Sequence, residues 1–174
     1  MTNPWYVITG GPCAGKTTLI EELSRRGYRT VPEAARLHIE TELAKGRTLA
    51  DIRKDEVAFQ ETLIDMKVDA EKQLPSGEVI FFDRGIHDSE AYLRICGVEH
   101  DPVLETAMQG TAYRKAFLLD LVSYMPDHVR VEDPVLAKRI HELLYESYAA
   151  HGVPVVRVPV LPVAERADFV LKNL

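Results

Sequence analysis

Two rhythms of apolar residues alternate along this chain. Short unbroken runs occur at Trp5 to Ile8, Val79-Ile80-Phe81-Phe82, Ala116-Phe117-Leu118-Leu119 and Val155 to Val158, with a shorter one at Tyr28 to Val31. Runs without polar alternation are what strands buried on both faces look like, as in a parallel sheet. Between them the apolar residues recur at helical spacing. Leu19, Ile20 and Leu23 mark a helix from about Lys16 to Arg26, closed by Gly27. Pro32 ends the second strand, and Glu33-Ala34-Ala35-Arg36 opens a helix that Gly46 closes. Thr48 to Asp51 supplies capping residues for a long amphipathic helix, with Ile52, Phe59, Leu63, Met66 and Ala70 inward. Its outward set is Arg53, Lys54, Gln60, Glu61 and Lys67.

Pro75-Ser76-Gly77 breaks that helix, and further helical segments follow around Ser89 to Ile95 and Pro102 to Met108. Asp133-Pro134 is a strong start signal, an N-cap followed by proline at the first helical position. Leu136, Ile140, Leu143 and Leu144 form the buried face there until Gly152, and Pro162 to Leu174 closes the chain as a helix. Strand and helix alternate throughout, which predicts an α/β fold with a parallel sheet of about five strands covered on both faces. No repeat, low-complexity tract or linker interrupts residues 1–174, so the expectation is one domain.

Composition narrows the partners. With 174 residues and 46% hydrophobic content, the chain can bury a sizeable core. Its formal net charge of −6 argues against a general nucleic-acid binder, whose footprint is basic. Any polyanion must therefore be gripped locally. Cys13 and Cys96 read as free thiols of a reducing compartment. No signal peptide is visible, and no apolar run approaches the roughly 20 residues of a membrane span. These features predict a soluble, cytoplasmic protein, and they leave its oligomeric state open.

The local grip is legible at Gly10-Gly11-Pro12-Cys13-Ala14-Gly15-Lys16-Thr17-Thr18. The pattern G-x-x-x-x-G-K-[ST] fits from Gly10 to Thr17, between a predicted strand and a predicted helix. Glycines let the backbone curl so that several N–H groups point at one phosphate chain, and the helix N-terminus adds partial positive charge. Lys16 is expected to reach the β- and γ-phosphates of a nucleoside triphosphate and Thr17 to ligate Mg2+. Cys13 is either a thiol activated by the helix terminus or simply a side chain small enough to fit.

In open parallel sheets ligands bind beyond the C-terminal strand ends. The third strand ends at Asp83, the acid expected to hold magnesium with Thr17, and Arg84 follows it as a phosphate grip or a surface ion pair. Glu33 follows the second strand. It reads either as a general base for an attacking hydroxyl or as an acid favoured by its helix dipole. The polar stretch Ser123 to Glu132 reads as a lid, in which Arg130 is the candidate to neutralise transition-state charge, ahead of Arg139 and Lys138. The six histidines show no metal-ligand spacing; His87 and Asp88 are candidates to line a substrate pocket, and the other histidines read as surface residues.

Five pieces together resemble a known family. They are Gly-Gly-Pro-x-x-Gly-Lys-Thr-Thr-Leu at 10–19, Val-Pro-Glu-Ala-Ala-Arg at 31–36, Phe-Phe-Asp-Arg-Gly at 81–85, Val-Arg-Val-Glu-Asp at 129–133 and Leu-Pro-Val-x-Glu-Arg-x-Asp-Phe at 161–169. The chain resembles the small P-loop AAA-domain family of predicted ATPases and kinases, related to ribosylnicotinamide kinase and, more distantly, to deoxynucleoside and thymidylate kinases. The resemblance implies strand order 2-3-1-4-5. It also implies Glu33 as base, Asp83 and Arg84 as the magnesium and substrate pair, and Arg130 as the lid arginine. Gly85 departs from the pattern, since nucleoside kinases commonly carry Ser or Tyr there. The expected activity is Mg-dependent transfer of the ATP γ-phosphoryl to a hydroxyl of a small nucleoside-like acceptor. The alternative is a regulatory ATPase or GTPase switch binding a protein or lipid partner. GTP stays possible as the nucleotide, although no Asn-Lys-x-Asp guanine signature is present.

Overall fold

A computed structural model describes residues 3–121 and 133–174. The elements run β1 (Trp5–Thr9), α1 (Lys16–Arg25), β2 (Arg29–Val31), α2 (Ala34–Ala44), α3 (Leu49–Ile52), α4 (Glu56–Lys72) and β3 (Ile80–Asp83). There follow α5 (Asp88–Ile95), α6 (Pro102–Gln109), β4 (Lys115–Leu119), α7 (Pro134–Ala150), β5 (Val155–Val158) and α8 (Val163–Lys172). The five strands form one parallel sheet in the order β2-β3-β1-β4-β5. This is an α/β fold with the expected strand order 2-3-1-4-5.

Side chains that alternate along each strand feed two cores. On one face Tyr6, Ile8, Phe81, Phe117 and Leu119 pack with Leu19, Ile20 and Leu23 of α1 and with Ala167 and Val170 of α8. On the other, Trp5, Val7, Phe82 and Ala116 pack with Tyr113 and Tyr148, while Leu118 meets Ala91, Ile140, Leu143 and Leu144. Helices thus cover both faces, and the apolar strand runs follow from that. Register then decides where the chemistry falls. Ile8 lies opposite Asp83 and Val31 opposite Phe82, so β1, β2 and β3 end at one rim.

The long helix predicted from Ile52 to Ala70 is two helices. Thr48 and Asp51 form a reciprocal capping box on α3, and Asp55 accepts from the Ala58 N–H to start α4 afresh. Two N-caps so close together restart the backbone hydrogen-bonding rather than continue it. The predicted inward stripe was also too narrow. Besides Phe59 and Leu63, α4 buries Ile64 fully against Ile86, Leu93, Leu104 and Met108. Gln60 and Lys67, expected outside, are drawn in: Gln60 is buried, and the Lys67 ammonium donates to Gly85 O and Ser89 Oγ. On α7, Asp133 caps the first turn as expected, but Leu136 is exposed while His141, Ser147 and Tyr148 are buried.

Because Ile64 lies on a second buried face and Met66 sits at a margin, Ile64→Ala should destabilise the protein by about 2–5 kcal/mol in urea titrations. Met66→Ala should cost clearly less. Equal losses would contradict the two-faced packing of α4.

Candidate active site

The segment joining β1 to α1 folds as a phosphate cradle, and its unusual backbone angles explain its residues. Gly15 has φ 84°, and a Cβ there would lie 3.0 Å from Arg166 Nη1. Cys13 also takes a left-handed φ, 61°, and its side chain is exposed. Lys16 is buried and donates to the Gly11 carbonyl at 2.8 Å, so its ammonium curls back over the loop. Burial, with help from the Arg84 charge, lowers its pKa to about 8 against the pull of Asp83, Asp88 and Glu33. Arg166 of α8 is buried and donates to Ala14 O at 2.7 Å, bracing the loop from behind.

Thr17, at the start of α1, donates its hydroxyl to Asp83 Oδ2 at 3.3 Å. The other Asp83 oxygen is buried and has no hydrogen-bond partner among the described residues. Burial and the neighbouring Glu33 charge push this carboxyl up to about 6, against Arg84, Lys16 and Thr17. A hydroxyl, a carboxylate with an orphaned oxygen and a phosphate cradle side by side are the donor set a hard dication takes. The chemistry of Thr17 and Asp83 therefore fits a magnesium ion.

Arg84 occupies the centre. Its backbone is left-handed (φ 67°), which swings the side chain across the strand ends. Nε donates to Glu33 Oε1 at 3.1 Å, and Nη1 donates to Gly10 O at 3.3 Å and to Asp88 Oδ1 at 2.9 Å. The guanidinium also lies 5.3 Å from the Tyr92 ring centroid. This is a buried junction rather than a surface ion pair. Asp88 in turn accepts from Thr9 Oγ1, the Gly85 N–H and the Tyr148 hydroxyl. Desolvation works to raise the Asp88 carboxyl, but Arg84, Lys67 and these donors outweigh it and keep it below the usual range. Gly85 is required by packing, since a Cβ would come within 2.7 Å of the Tyr113 ring and the Tyr148 hydroxyl.

Glu33 caps α2 with its backbone and faces two spaces. One is a cavity of about 120 Å³ bordered by Arg84, Asp88, Tyr92, Phe59 and Gln60. The other, about 480 Å³, lies beside Thr17, Thr30, Arg36 and Asp83. Of the sequence candidates, the fold brings together Lys16, Thr17, Glu33, Asp83 and Arg84, with Asp88 beside them. His87 does not join them. It stacks on Tyr148 and borders a different cavity, and burial beside His151 lowers its pKa to about 4. His141 is buried, not at the surface. Lys138 and Arg139 are exposed and paired with Glu142 and Glu146. Arg130, with the rest of the expected lid from Ser123 to Glu132, lies outside the described residues. Sequence reasoning missed Arg166, Lys67 and Tyr148; a basic residue at an inward helical position was the one available signal for the first.

A family model described as AAA domain matches residues 5–166. The chain belongs to the AAA domain family. Among solved structures, this AAA-domain chain is similar to a NadR protein in complex with NR, at 18% identity and a TM-score of 0.73, covering 97% of this chain and 50% of that one. It thus spans about half the length of the NadR chains it matches. A deoxyadenosine kinase from M. mycoides with bound dCTP aligns at 15% identity and a TM-score of 0.67, over 97% of both chains. A thymidylate kinase from Ehrlichia chaffeensis aligns at 13% identity and a TM-score of 0.70, again over 97% of both. Comparison with curated proteins gives no match. At these identities the likeness establishes a shared fold. Among the described residues, no helix is long and apolar enough to cross a membrane, and no group of three or more His, Cys, Asp and Glu could by itself hold a metal ion.

The Asp83 carboxyl yields a pH-dependent prediction for the metal-free protein. Folding raises its pKa from 3.8 to about 6, so the folded state favours the protonated form. The resulting cost is absent below the lower value, grows between the two and is full above the upper one. Asp83→Asn should therefore stabilise metal-free protein by about 3 kcal/mol near neutral pH and by almost nothing in strong acid. Thermal melts in chelator at both pH values check this, and a variant less stable than wild type at neutral pH would contradict it.

Proposed function

We propose that this AAA-domain chain, working as one domain, is a magnesium-dependent kinase that moves the γ-phosphoryl of ATP to a hydroxyl of a small nucleoside-like acceptor. One observation carries the reading. A single guanidinium, that of Arg84, bridges the Glu33 carboxylate and the Gly10 carbonyl of the phosphate loop. A base candidate and a phosphate cradle are thereby held on one rigid group, as in-line transfer requires.

The backbone N–H groups of Gly11 and of Cys13 to Thr18, with the Lys16 ammonium, hold the β- and γ-phosphates. Thr17 and Asp83 would hold magnesium, which when bound neutralises charge on the phosphate oxygens. Arg84 engages Glu33 Oε1, and among the described residues no hydrogen bond occupies Oε2. That oxygen accepts the proton of the acceptor hydroxyl as its oxygen attacks the γ-phosphorus; the β–γ bridging bond breaks and ADP leaves. The cavity between Glu33, Phe59, Gln60 and Tyr92 receives the flat ring of the acceptor, with aromatic faces beside it and a buried amide for its polar edge. ATP rather than GTP agrees with the NadR structure that holds AMP-PNP. The lid role proposed for Arg130 supplies the remaining positive charge.

A screen of nucleosides and related hydroxyl compounds for acceptor-stimulated ADP release tests this reading. One class should raise turnover well above basal hydrolysis, and Glu33→Gln should lower kcat by about 10²–10⁴-fold with ATP affinity nearly intact. If no acceptor stimulates and Glu33→Gln is silent, the kinase reading falls and a nucleotide-dependent switch replaces it.

A further inference from the structure

The turn at Arg84-Gly85 is an unfavourable piece of backbone in a decisive place. A non-glycine residue at φ 67° pays a steric penalty of about 1 kcal/mol or more, so its surroundings must hold it. Most of the holding is visible on the N–H side. The Arg84 N–H donates to Ile8 O of β1, the Gly85 N–H to Asp88 Oδ2 and the Tyr148 hydroxyl, and the Ile86 N–H to the Tyr113 hydroxyl. The carbonyl of Gly85 is held differently. It accepts from the Asp88 N–H at 3.3 Å and from the Lys67 ammonium at 2.9 Å, which also donates to Ser89 Oγ at 3.0 Å and is the one donor that ties the turn to α4.

Lys67 comes from α4, the helix that supplies Phe59, Gln60 and Leu63 to the cavity facing Glu33, and it borders that cavity itself. Its ammonium therefore ties the wall of the proposed acceptor pocket to the turn that aims Arg84. Lys67 and Arg84 lie among the carboxylates of Asp88, Glu33 and, on α4 itself, Glu71. Burying an ammonium is costly, and burial lowers this one to about 8. An apolar side chain would fill the same space at less cost, so stability alone does not account for a lysine here.

We propose that Lys67 is a positioning residue for phosphoryl transfer: by pinning the Gly85 carbonyl to α4 it holds the Arg84 guanidinium across Glu33 and the Gly10 carbonyl. The kinetic half of this proposal rests on the kinase reading above; the structural half does not.

The test uses Lys67→Ala in the full chain. We expect kcat to fall about 30-fold while KM for ATP changes less than about threefold, and added ethylamine to restore about tenfold of the loss. A crystal structure of the variant should show Arg84 withdrawn from Glu33 and Gly10. An unchanged kcat, or a loss that ethylamine does not restore with Arg84 still seated on both partners, overturns the proposal. Lys67→Met keeps the volume and serves if the alanine variant does not fold, its Arg84 contacts deciding the question in the same way. If wild type phosphorylates no acceptor, the kinase reading fails by itself, and Arg84 leaving or keeping its partners in the two variants still decides whether Lys67 is the clamp.

Discussion

The buried carboxylate of Asp88 is the constraint on which the site depends. It is 1% exposed and accepts from the last residue of β1, from the Arg84 guanidinium, from the Gly85 N–H and from Tyr148 on α7. Removing one partner from a buried charge typically costs about 3–5 kcal/mol, because the other charge is left unpaired in a poor dielectric. The four donors come from three parts of the chain: Thr9, the Arg84-Gly85 turn and Tyr148. Satisfying one acid thus fixes the relative position of the phosphate loop, the β3–α5 turn and the helix behind them.

From that anchor the electrostatics spread outward in order. Arg84 is held by Asp88 and reaches Glu33; Glu33 and burial raise Asp83; Asp83 meets Thr17 at the mouth of the cradle. Asp88 is satisfied on both oxygens, whereas Asp83 and Glu33 each have a hydroxyl or a cation on one oxygen and none on the other among the described residues. That incompleteness is the chemically useful feature. Asp83 keeps an orphaned oxygen where a dication fits, and Glu33 keeps one oxygen toward the proposed acceptor. Groups fixed before the substrate arrives need little reorganisation during the reaction.

The family likeness and the geometry speak to different levels. Sequence identities of 13–18% with NadR and the two nucleoside and nucleotide kinases establish a shared scaffold and no more. Function has to be argued from side chains in this chain. Gly85 illustrates the difference. It departs from the resembled kinase pattern, and here two tyrosines fill the space a side chain would need. The tyrosines serve the same turn through hydrogen bonds, so the departure and its compensation belong to one packing solution.

The sequence by itself determined the sheet, its helices on both faces and the cradle. Unbroken apolar runs report burial on two faces, and the spacing from Gly10 to Thr17 is local and tied to a strand and a helix start. Asp83, Arg84 and Glu33 were legible because a parallel sheet collects whatever follows its strands at one rim. The tertiary structure decided the rest. A helical period averages over a whole stripe, so it could not show that α4 restarts after a second cap, that Ile64 opens a second buried face or that Lys67 turns inward to a carbonyl. Arg166 behind the phosphate loop and Tyr148 beneath Arg84 lie 152 and 60 or more residues from the groups they support. Contacts of that reach are set by how helices pack across the sheet, and no local pattern of apolar and polar residues carries them.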